Sequence, residues 1–292
     1  PFFGVSSFKS INEAIDGVEA GGTIYVAEGK YIEDVVVGKE VTIIGAGAED
    51  TLIVATNGNK TPLTFASNGA TVSGFTITHE YTAEELSEWS FNNNGVIFLN
   101  MCAGNTLRDC VVTMNRNGIY LNNCQNNSII DNMIVNNRTG INMTNNINGT
   151  EIYGNTIADN WTVGLVFYCL DAGDTLQADL STVTVEENIF DGNWYSEILL
   201  KDAVKCTGTL DVTNNIFTDD PVTYTTSSDP SLNEPGFAEQ KPAVDGIGGD
   251  AEKPLEDLPT LRIYNCGDVR LIHEEAVMLN VGEYEAVEDF ED

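Results

Sequence analysis

Apolar and polar positions in the middle of the chain repeat one short motif: an apolar residue, an Asn or its replacement three positions later, and a second apolar residue two positions after that. The starts of six copies lie 35, 22, 23, 33 and 27 residues apart. A period of about 22 residues, lengthened in places by inserted loops, indicates a stack of similar structural units. The copies are Val72/Phe75/Ile77, Leu107/Cys110/Val112, Ile129/Asn132/Ile134, Ile152/Asn155/Ile157, Val185/Asn188/Phe190 and Val212/Asn215/Phe217.

Each unit between residues 100 and 160 contains three short apolar runs separated by Asn- and Gly-rich turns. One unit consists of residues 119–121, Ser128–Ile130 and Met133–Val135. Runs of about three β-favouring residues bounded by turn residues predict strands, and they are too short for helices. The stack is therefore predicted to be a coil of strands.

Two columns of Asn keep the same register through the units. Asn accepts left-handed backbone conformations, so it suits a tight corner that recurs at the same angle. Copies stacked about 4.8 Å apart can also hydrogen-bond along the column, which favours a structural role over a catalytic one. The predicted ladders are Asn132, Asn155, Asn188 and Asn215 at one corner and Asn115, Asn137, Asn160 and Asn193 at another, with Asp220 in the next equivalent place.

The amino-terminal segment differs from the repeat. Ser10 and Glu13 form a capping-box pattern that opens a short amphipathic helix. Such a helix would cover the first open rung of the coil, whose edge would otherwise invite aggregation. The chain is accordingly divided into a cap at residues 1–22, a coil at 23–220, and a loop or linker with a closing segment at 221–292.

The segment from Asn117 to Arg138 resembles the right-handed parallel β-helix of the pectin-lyase-like superfamily, in particular its NosD-like repeat region. The resemblance extends from about Gly22 to Phe217. It implies an all-β, right-handed parallel β-helix solenoid with an amino-terminal amphipathic cap helix and an irregular carboxy-terminal segment. The superfamily contains lyases, hydrolases, epimerases, adhesins and phage fibres, so the fold does not name the function.

The net charge of the chain limits the classes of molecule that it can bind. With 45 acidic and 13 basic residues the formal net charge is −32, which repels phosphate backbones and argues against nucleic acid. It also disfavours a polyanionic substrate unless cations intervene. Carboxylates from separate rungs would suit Ca²⁺, which is the cofactor that the sequence predicts, if any. No apolar run approaches about 18 residues, so no transmembrane segment is predicted. Acidity of this kind favours solubility at an extracellular or cell-surface location, and the start at Pro1 suggests a processed protein or an excised piece.

The six cysteines show no C-x-x-C or Cys/His spacing, so zinc is disfavoured. Cys102 and Cys124 lie 22 residues apart and are predicted to stack on adjacent rungs. Their expected state is that of free thiols acting as small apolar core residues.

Binding residues are predicted where insertions interrupt the repeat, because loops on a rigid scaffold readily form sites. The first insertion follows Ile77 and the second precedes Val185; both are acidic and carry or adjoin aromatic residues that would suit sugar rings. The competing interpretation is a solvated acidic loop packed over the coil. The binding candidates are Glu80, Tyr81, Glu84, Glu85, Trp89, Trp161, Asp171, Asp174 and Trp194.

Catalytic motifs of the superfamily are incomplete in this chain. Asp219 and Asp220 match only part of the hydrolase pattern, and its Gly-His-Gly element is missing from the sequence. Arg116 and Arg138 are 22 residues apart and would stack beside the Asn corner, where an Arg could act as the base of a lyase. These four remain weak candidates, and no catalytic residue is assigned.

The function predicted from sequence is an extracellular or cell-surface structural or binding protein of adhesin or surface-layer type. Its loops would contact carbohydrate or another protein. The first alternative is a polysaccharide lyase, glycoside hydrolase or epimerase working in a groove along one sheet. The second is a self-associating subunit of a filament or sheet.

Overall fold

Three long parallel sheets form the walls of a right-handed β-helix, as the sequence predicted. The computed structural model describes residues 7–81, 93–169, 178–218, 222–226, 260–278 and 284–286. These residues form one helix, α1 (Ile11–Gly17), one 3-10 turn (Leu180–Thr182) and 28 strands, numbered β1 to β28 in chain order. Each pass of the chain adds one strand to each wall.

The walls are called the first, second and third sheet. The first sheet contains β1 (Thr23–Val26), β4 (Thr42–Gly45), β7 (Thr71–Ser73), β10 (Thr106–Arg108), β13 (Ser128–Ile130), β16 (Glu151–Tyr153) and β19 (Thr184–Glu186). The second contains β2 (Gly29–Ile32), β5 (Thr51–Val54), β8 (Thr76–Thr78), β11 (Val111–Thr113), β14 (Met133–Val135), β17 (Thr156–Ala158), β20 (Ile189–Asp191) and β23 (Ile216–Phe217). The third contains β3 (Val35–Val37), β6 (Leu63–Phe65), β9 (Val96–Phe98), β12 (Asn117–Asn122), β15 (Thr139–Thr144), β18 (Val163–Tyr168), β21 (Ser196–Lys201), β25 (Leu261–Tyr264) and β24 (Tyr224–Thr226).

The apolar residues of the repeat stack in register inside the coil. In the first sheet Leu107 pairs with Val72 on one side and with Ile129 on the other. In the second sheet Val112 pairs in the same way with Ile77 and Ile134. These side chains are fully buried, because strand alternation turns every second residue inward, where it packs between its equivalents one rung away.

The two Asn ladders exist as predicted. Asn132, Asn155 and Asn188 are buried, and each amide donates to the Oδ1 of the next Asn in its column at 2.9–3.0 Å. In the second column Asn115, Asn137 and Asn160 donate along the stack in the same manner, at 2.7–3.2 Å. Backbone groups that the corners would bury without partners are therefore satisfied by the repeat itself.

The ends of the second ladder are closed by residues that the sequence did not indicate. At the amino-terminal end the Nδ1 of His79 lies 2.7 Å from the Oδ1 of Asn115. At the other end the carboxylate of Glu197, 1% exposed, accepts from the backbone N–H of Asn193 at 3.1 Å and from its side-chain amide. The ladder thus ends on an imidazole N–H donor at one end and on a carboxylate acceptor at the other.

The helix α1 covers the amino-terminal end of the coil. The Ser10 hydroxyl accepts from the N–H of Glu13 at 3.1 Å, as expected for the capping box, and Ile11, Ala14 and Ile15 are buried. The helix ends at Gly17, with Val18 as its carboxy-terminal cap.

At the carboxy-terminal end a small sheet replaces the regular wall. It contains β22 (Thr209–Asp211), β26 (Arg270–His273), β27 (Ala276–Met278) and β28 (Tyr284–Ala286). Strand β26 pairs parallel with β22 and antiparallel with β27, so the chain turns back on itself here. Among the residues that the structure describes, no helix has the length and apolar character of a membrane span.

Candidate functional site

The outer face of the third sheet carries a groove at four consecutive strands. Strands β12, β15, β18 and β21 have six residues each, whereas most neighbouring strands of the coil have three or four. The longer strands form a broader wall, and a cavity of about 520 Å³ opens on it. Its lining includes Arg116, Tyr120, Arg138, Asn142, Tyr168 and Lys201, and we call this surface the basic groove.

Strand register sets the positions of these side chains. Tyr120 pairs with Asn142, and Asn142 pairs with Val166, so the three form one outward row. Two residues further along each strand, Tyr168 pairs with Lys201 in a second row. Members of one row are about 4.8 Å apart, so the rows present several functional groups to one ligand.

Positive charge is concentrated in this groove. Arg116 and Arg138 immediately precede Asn117 and Thr139, which are paired in the sheet, so the two guanidinium groups lie on adjacent rungs. Burial, and then the charge of Arg116, lowers the pKa of Arg138. An anion placed between two such cations would relieve their repulsion.

Lys201 extends the positive charge along the groove. Its Nζ lies 4.0 Å from the carboxylate of Asp202, the one carboxylate among the described residues that line the cavity. The basic groove therefore holds three cations against one anion within a chain whose formal net charge is −32.

Asn142 forms the polar centre of the groove. Its amide donates to the Oδ1 of Asn117 and to the hydroxyl of Tyr168, both at 3.2 Å. Its own Oδ1 is buried and has no hydrogen-bond donor in the structure. Burial raises the pKa of the Tyr168 hydroxyl, which stays protonated at neutral pH. A ligand hydroxyl would supply the donor that Asn142 lacks.

Apolar side chains line the remainder of the groove. Val163, Val166 and Leu199 belong to an apolar cluster on the outer face of the third sheet, and Tyr168 packs against it. Beyond Leu199 the same row continues with Arg262, whose guanidinium lies 3.8 Å from the ring centre of Tyr195. The groove thus combines basic side chains, an amide oxygen that lacks a hydrogen-bond donor, and apolar surface.

Of the weak catalytic candidates, the structure brings together Arg116 and Arg138. Asp219 and Asp220 lie outside the described residues. In the described part of the groove Asp202 stands without a second carboxylate, so the pair that glycoside hydrolases use is not assembled there.

Two predicted binding residues of the first insertion lie apart from the basic groove. Glu80 forms an ion pair with Lys30. Tyr81 stacks on His79, with ring centres 5.2 Å apart.

Trp161 and Trp194, predicted to stack on sugar rings, are not exposed. Trp161 is buried, at 9% exposed, so this expectation is wrong for it. Trp194 packs against the apolar cluster on the third sheet.

The other insertion candidates lie outside the described residues, and their roles stay predictions. They are Glu84, Glu85, Trp89, Asp171 and Asp174.

The sequence analysis missed Tyr120, Asn142, Tyr168 and Lys201. A signal was present: the six-residue runs of β12 and its neighbours are longer than the other strand runs, and their outward positions carry Tyr, Asn and Lys rather than the Thr and Ser common elsewhere.

The described residues offer limited ligands for a metal ion. No group of three or more His, Cys, Asp or Glu side chains within these ranges could hold one. Both ring nitrogens of His79 are engaged, by Asn115 and by the backbone oxygen of Lys60 at 2.6 Å. His273 lies 3.0 Å from the Tyr224 hydroxyl through Nδ1. A Ca²⁺ site stays a prediction.

Comparison with known proteins gives one family and several solved structures. The sequence model of the family described as "Periplasmic copper-binding protein (NosD)" matches residues 7–177, more than half of the chain. No curated protein matches the chain.

Three of the solved structures are similar to this chain at low identity. ORF18 of Geobacillus virus E2 is 14% identical over 70% of the chain, with a TM-score of 0.47, and the chain covers 45% of its length. The A-module of the mannuronan C-5 epimerase AlgE4 of Azotobacter vinelandii is 16% identical over 89% of the chain and 71% of its own, with a TM-score of 0.42. Pectin methylesterase from Yersinia enterocolitica is 11% identical over 95% of the chain and 85% of its own, with a TM-score of 0.45.

Proposed function

The chain belongs to the NosD family of parallel β-helix proteins, and from this premise we propose that it is a periplasmic binding protein whose basic groove holds a carboxylated carbohydrate. The observation that carries the proposal is the convergence of Arg116, Arg138 and Lys201 on one cavity in a strongly acidic chain. Basic residues are scarce in this sequence, and three of them line the groove where the strands of the third sheet are longest.

The charge of the groove selects an anionic group. Guanidinium groups bind carboxylates through paired hydrogen bonds. Burial, and then repulsion from Arg116, lowers the pKa of Arg138, and a bound carboxylate would relieve that repulsion. The acidic remainder of the surface repels a long polyanion. Both effects favour a short acidic oligosaccharide, or the end of a longer one, over an extended polyuronate lying along the whole coil.

The uncharged side chains of the groove favour a ligand that has hydroxyl groups and a sugar ring. The buried Oδ1 of Asn142 lacks a donor, and leaving such an acceptor unsatisfied costs about 1–3 kcal/mol. A sugar hydroxyl would satisfy it, while Tyr120 and Val166 offer apolar contact to the ring. A volume of about 520 Å³ lies within the usual range for small-ligand sites.

Copper is named in the family's description. Cu²⁺ in nitrogen and oxygen sites prefers tetragonal ligand sets, and the described residues do not provide one, since the two histidines lie apart and have other partners. The basic groove is likewise unsuited to a cation.

Elimination on a bound uronate is a second candidate function, and the lowered pKa of Arg138 favours it. A proton-abstracting Arg must lose its own proton, which burial and a neighbouring cation promote. A role as an adhesin or surface-layer component stays a prediction.

The test is a binding titration with uronic-acid oligosaccharides and with their neutral, carboxyl-reduced counterparts. We expect binding of the acidic ligands alone, weakened at least tenfold by Arg138→Ala and by raised salt. Arg108→Ala is the matched control, because Arg108 lies on the first sheet, paired with Asp109 at 2.7 Å.

Three results decide between the candidates. Equal affinity for the acidic and neutral ligands, or equal affinity of Arg138→Ala and wild type, would overturn the binding proposal. Formation of unsaturated uronate that Arg138→Lys abolishes, while binding persists, would establish the elimination reaction.

A further inference from the structure

A buried guanidinium group lies at the end of the basic groove. Arg262 is 3% exposed and stands between two core residues of β25, so strand alternation turns it to the outer face of the third sheet. Its row runs back through Leu199 and Val166 to Asn142. Arg262 therefore lies three rungs, about 14 Å, beyond the polar centre of the groove.

The contacts of Arg262 leave its charge without a counter-ion. Its Nη1 donates to the Tyr195 hydroxyl at 3.0 Å, and the guanidinium lies 3.8 Å from the centre of the Tyr195 ring. Its Nε is buried and has no acceptor, and no carboxylate of the described residues forms an ion pair with it. A buried charge is costly unless an opposite charge compensates it, and burial accordingly lowers the pKa of Arg262.

A second donor without an acceptor lies beside the same residues. Trp194 directly precedes Tyr195 in the chain and packs against the apolar cluster that contains it. The indole Nε1 of Trp194 is buried and has no hydrogen-bond partner. Indole and guanidinium nitrogens only donate, so neither can satisfy the other. Both lack an acceptor, and a negatively charged acceptor would also compensate the guanidinium.

We propose that Arg262 and Trp194 form a distal anion subsite, which binds a second carboxylate of the oligosaccharide whose first carboxylate occupies the basic groove. This inference rests on the proposed function and adds to it the length and charge pattern of the ligand. Leu199 lines the groove cavity and is paired with Arg262 on the next rung, so the ligand reaches the distal subsite from the groove.

A carboxylate matches the two donors, because both of its oxygens accept hydrogen bonds and carry charge. Hydrogen bonds that involve an ionised group are roughly twice as strong as neutral ones. Between Asn142 and Arg262 the row contains Val166 and Leu199, which offer apolar contact to a sugar ring and no further charge. A tri- or tetrasaccharide covers a span of this order, whereas a disaccharide held at Arg138 falls short of Arg262.

The experiment is a calorimetric titration of the full chain with uronic-acid oligosaccharides from the disaccharide to the tetrasaccharide. A second series has the same lengths but a single carboxylate, at one or the other end. We expect the wild type to bind the fully charged tetrasaccharide about tenfold more tightly than the disaccharide, or by about 1.4 kcal/mol. This gain with length should be absent from the singly charged series.

Two variants remove the donors of the distal subsite. Arg262→Gln should lose the gain with length while binding the disaccharide as the wild type does. Trp194→Phe keeps an aromatic ring and removes the N–H, so the tetrasaccharide alone should bind about threefold more weakly, the net contribution of one hydrogen bond. A general loss of structure would instead weaken the binding of every ligand, and Trp194→Phe decides the question alone should Arg262→Gln fail to fold.

Arg270→Gln is the matched control. Arg270 is exposed on β26, in the small carboxy-terminal sheet rather than in the third sheet. This variant removes the same charge from the chain as Arg262→Gln. It should keep the full gain with length, which separates a local contact from a change in net charge.

Two results would overturn the distal subsite and leave carbohydrate binding in the basic groove intact. One is an equal gain with length in the wild type, Arg262→Gln and Trp194→Phe. The other is an equal gain in the fully and the singly charged series, because the added affinity would then come from contacts that need no second carboxylate. A wild type that binds no acidic oligosaccharide of any length would overturn both proposals.

Discussion

The Asn corners and the basic groove belong to the same coil but treat polar groups in opposite ways. At the corners each Asn finds its partners in the copies one rung away, and the column satisfies itself from one end to the other. In the groove Asn142 also lies on a stacked row, yet its Oδ1 has no donor. Identical side chains are therefore structural in one place and available to a ligand in another.

The reason for the difference is what stands next in the column. Asn155 lies between Asn132 and Asn188, so donor meets acceptor at every step. Asn142 lies between Tyr120 and Val166, and neither side chain repeats it. A solenoid repeat stabilises the fold where the same side chain recurs on successive rungs. Where a different side chain interrupts the column, polar groups next to it remain able to bind a ligand.

The largest expected effect comes from breaking a ladder in its middle. Asn155→Leu removes the bonds that its amide donates to the Ile129 carbonyl and to Asn188. It also leaves the buried backbone N–H of Asn132, and one of the two hydrogens of the Asn132 amide, without an acceptor. Buried groups left without partners cost about 1–3 kcal/mol each, so we expect a loss of about 3–5 kcal/mol in the free energy of unfolding. Urea denaturation measures it.

Asn214→Leu is the control for that substitution, because Asn214 is exposed and adjacent in sequence to the ladder residue Asn215. It should change the free energy of unfolding by less than about 0.5 kcal/mol. Similar losses in both variants would show that the column gives no stability beyond that of an ordinary turn Asn.

These two regions also show what a sequence reveals. The ladders, the coil and the cap helix were predictable, because each depends on a period or a local pattern that recurs: Asn132 predicts Asn155, and Ser10 predicts its bond to Glu13. The groove was only half predictable. Arg116 and Arg138 share the period and were noted together.

Tyr168 and Lys201 were missed, because each occurs once in its row and nothing in the sequence repeats it. The ladder ends were missed for the same reason. Glu197 lies four positions after Asn193, out of step with the column, and reaches its partner only because the chain turns a corner between them. Local sequence patterns do not predict a contact formed in this way across a corner of the coil.

A smaller loss is expected where the ladder ends. In Glu197→Gln one oxygen can still accept from the N–H of Asn193, but an amide NH₂ would face the Asn193 side-chain amide, so two donors would meet. We expect a loss of about 1–3 kcal/mol, the cost of one buried group without a partner. Thermal unfolding of this variant, beside Glu28→Gln at an exposed position, measures it. Equal melting temperatures would mean that the ladder needs no closing acceptor.

The same change made in the groove should act on binding instead. Asn142→Leu removes two hydrogen bonds to groove residues together with the unsatisfied Oδ1, so gains and losses in folding offset within about 1 kcal/mol. Affinity for the acidic oligosaccharide should fall at least tenfold, or about 1.4 kcal/mol. If Asn142→Leu instead unfolded the protein as Asn155→Leu does, the two regions would not differ in the way described.

The smallest effect, and the only gain, is expected where the first ladder is incomplete. Cys110 occupies an Asn position: its N–H donates to the Oδ1 of Asn132 at 3.0 Å, but its thiol donates to the carbonyl of Arg108 rather than along the column. Asn has nearly the volume of Cys, and its amide would reach the Oδ1 of Asn132, as each ladder Asn reaches the Oδ1 on the next rung.

We expect Cys110→Asn to raise the free energy of unfolding by about 0.5–1.5 kcal/mol, the net contribution of one added hydrogen bond. Cys110→Ala is the control, because it removes the thiol without adding an amide. Loss of stability in Cys110→Asn would mean that the corner beside Phe75 is shaped for a small apolar side chain, and that the ladder begins at Asn132 because packing there excludes an earlier member.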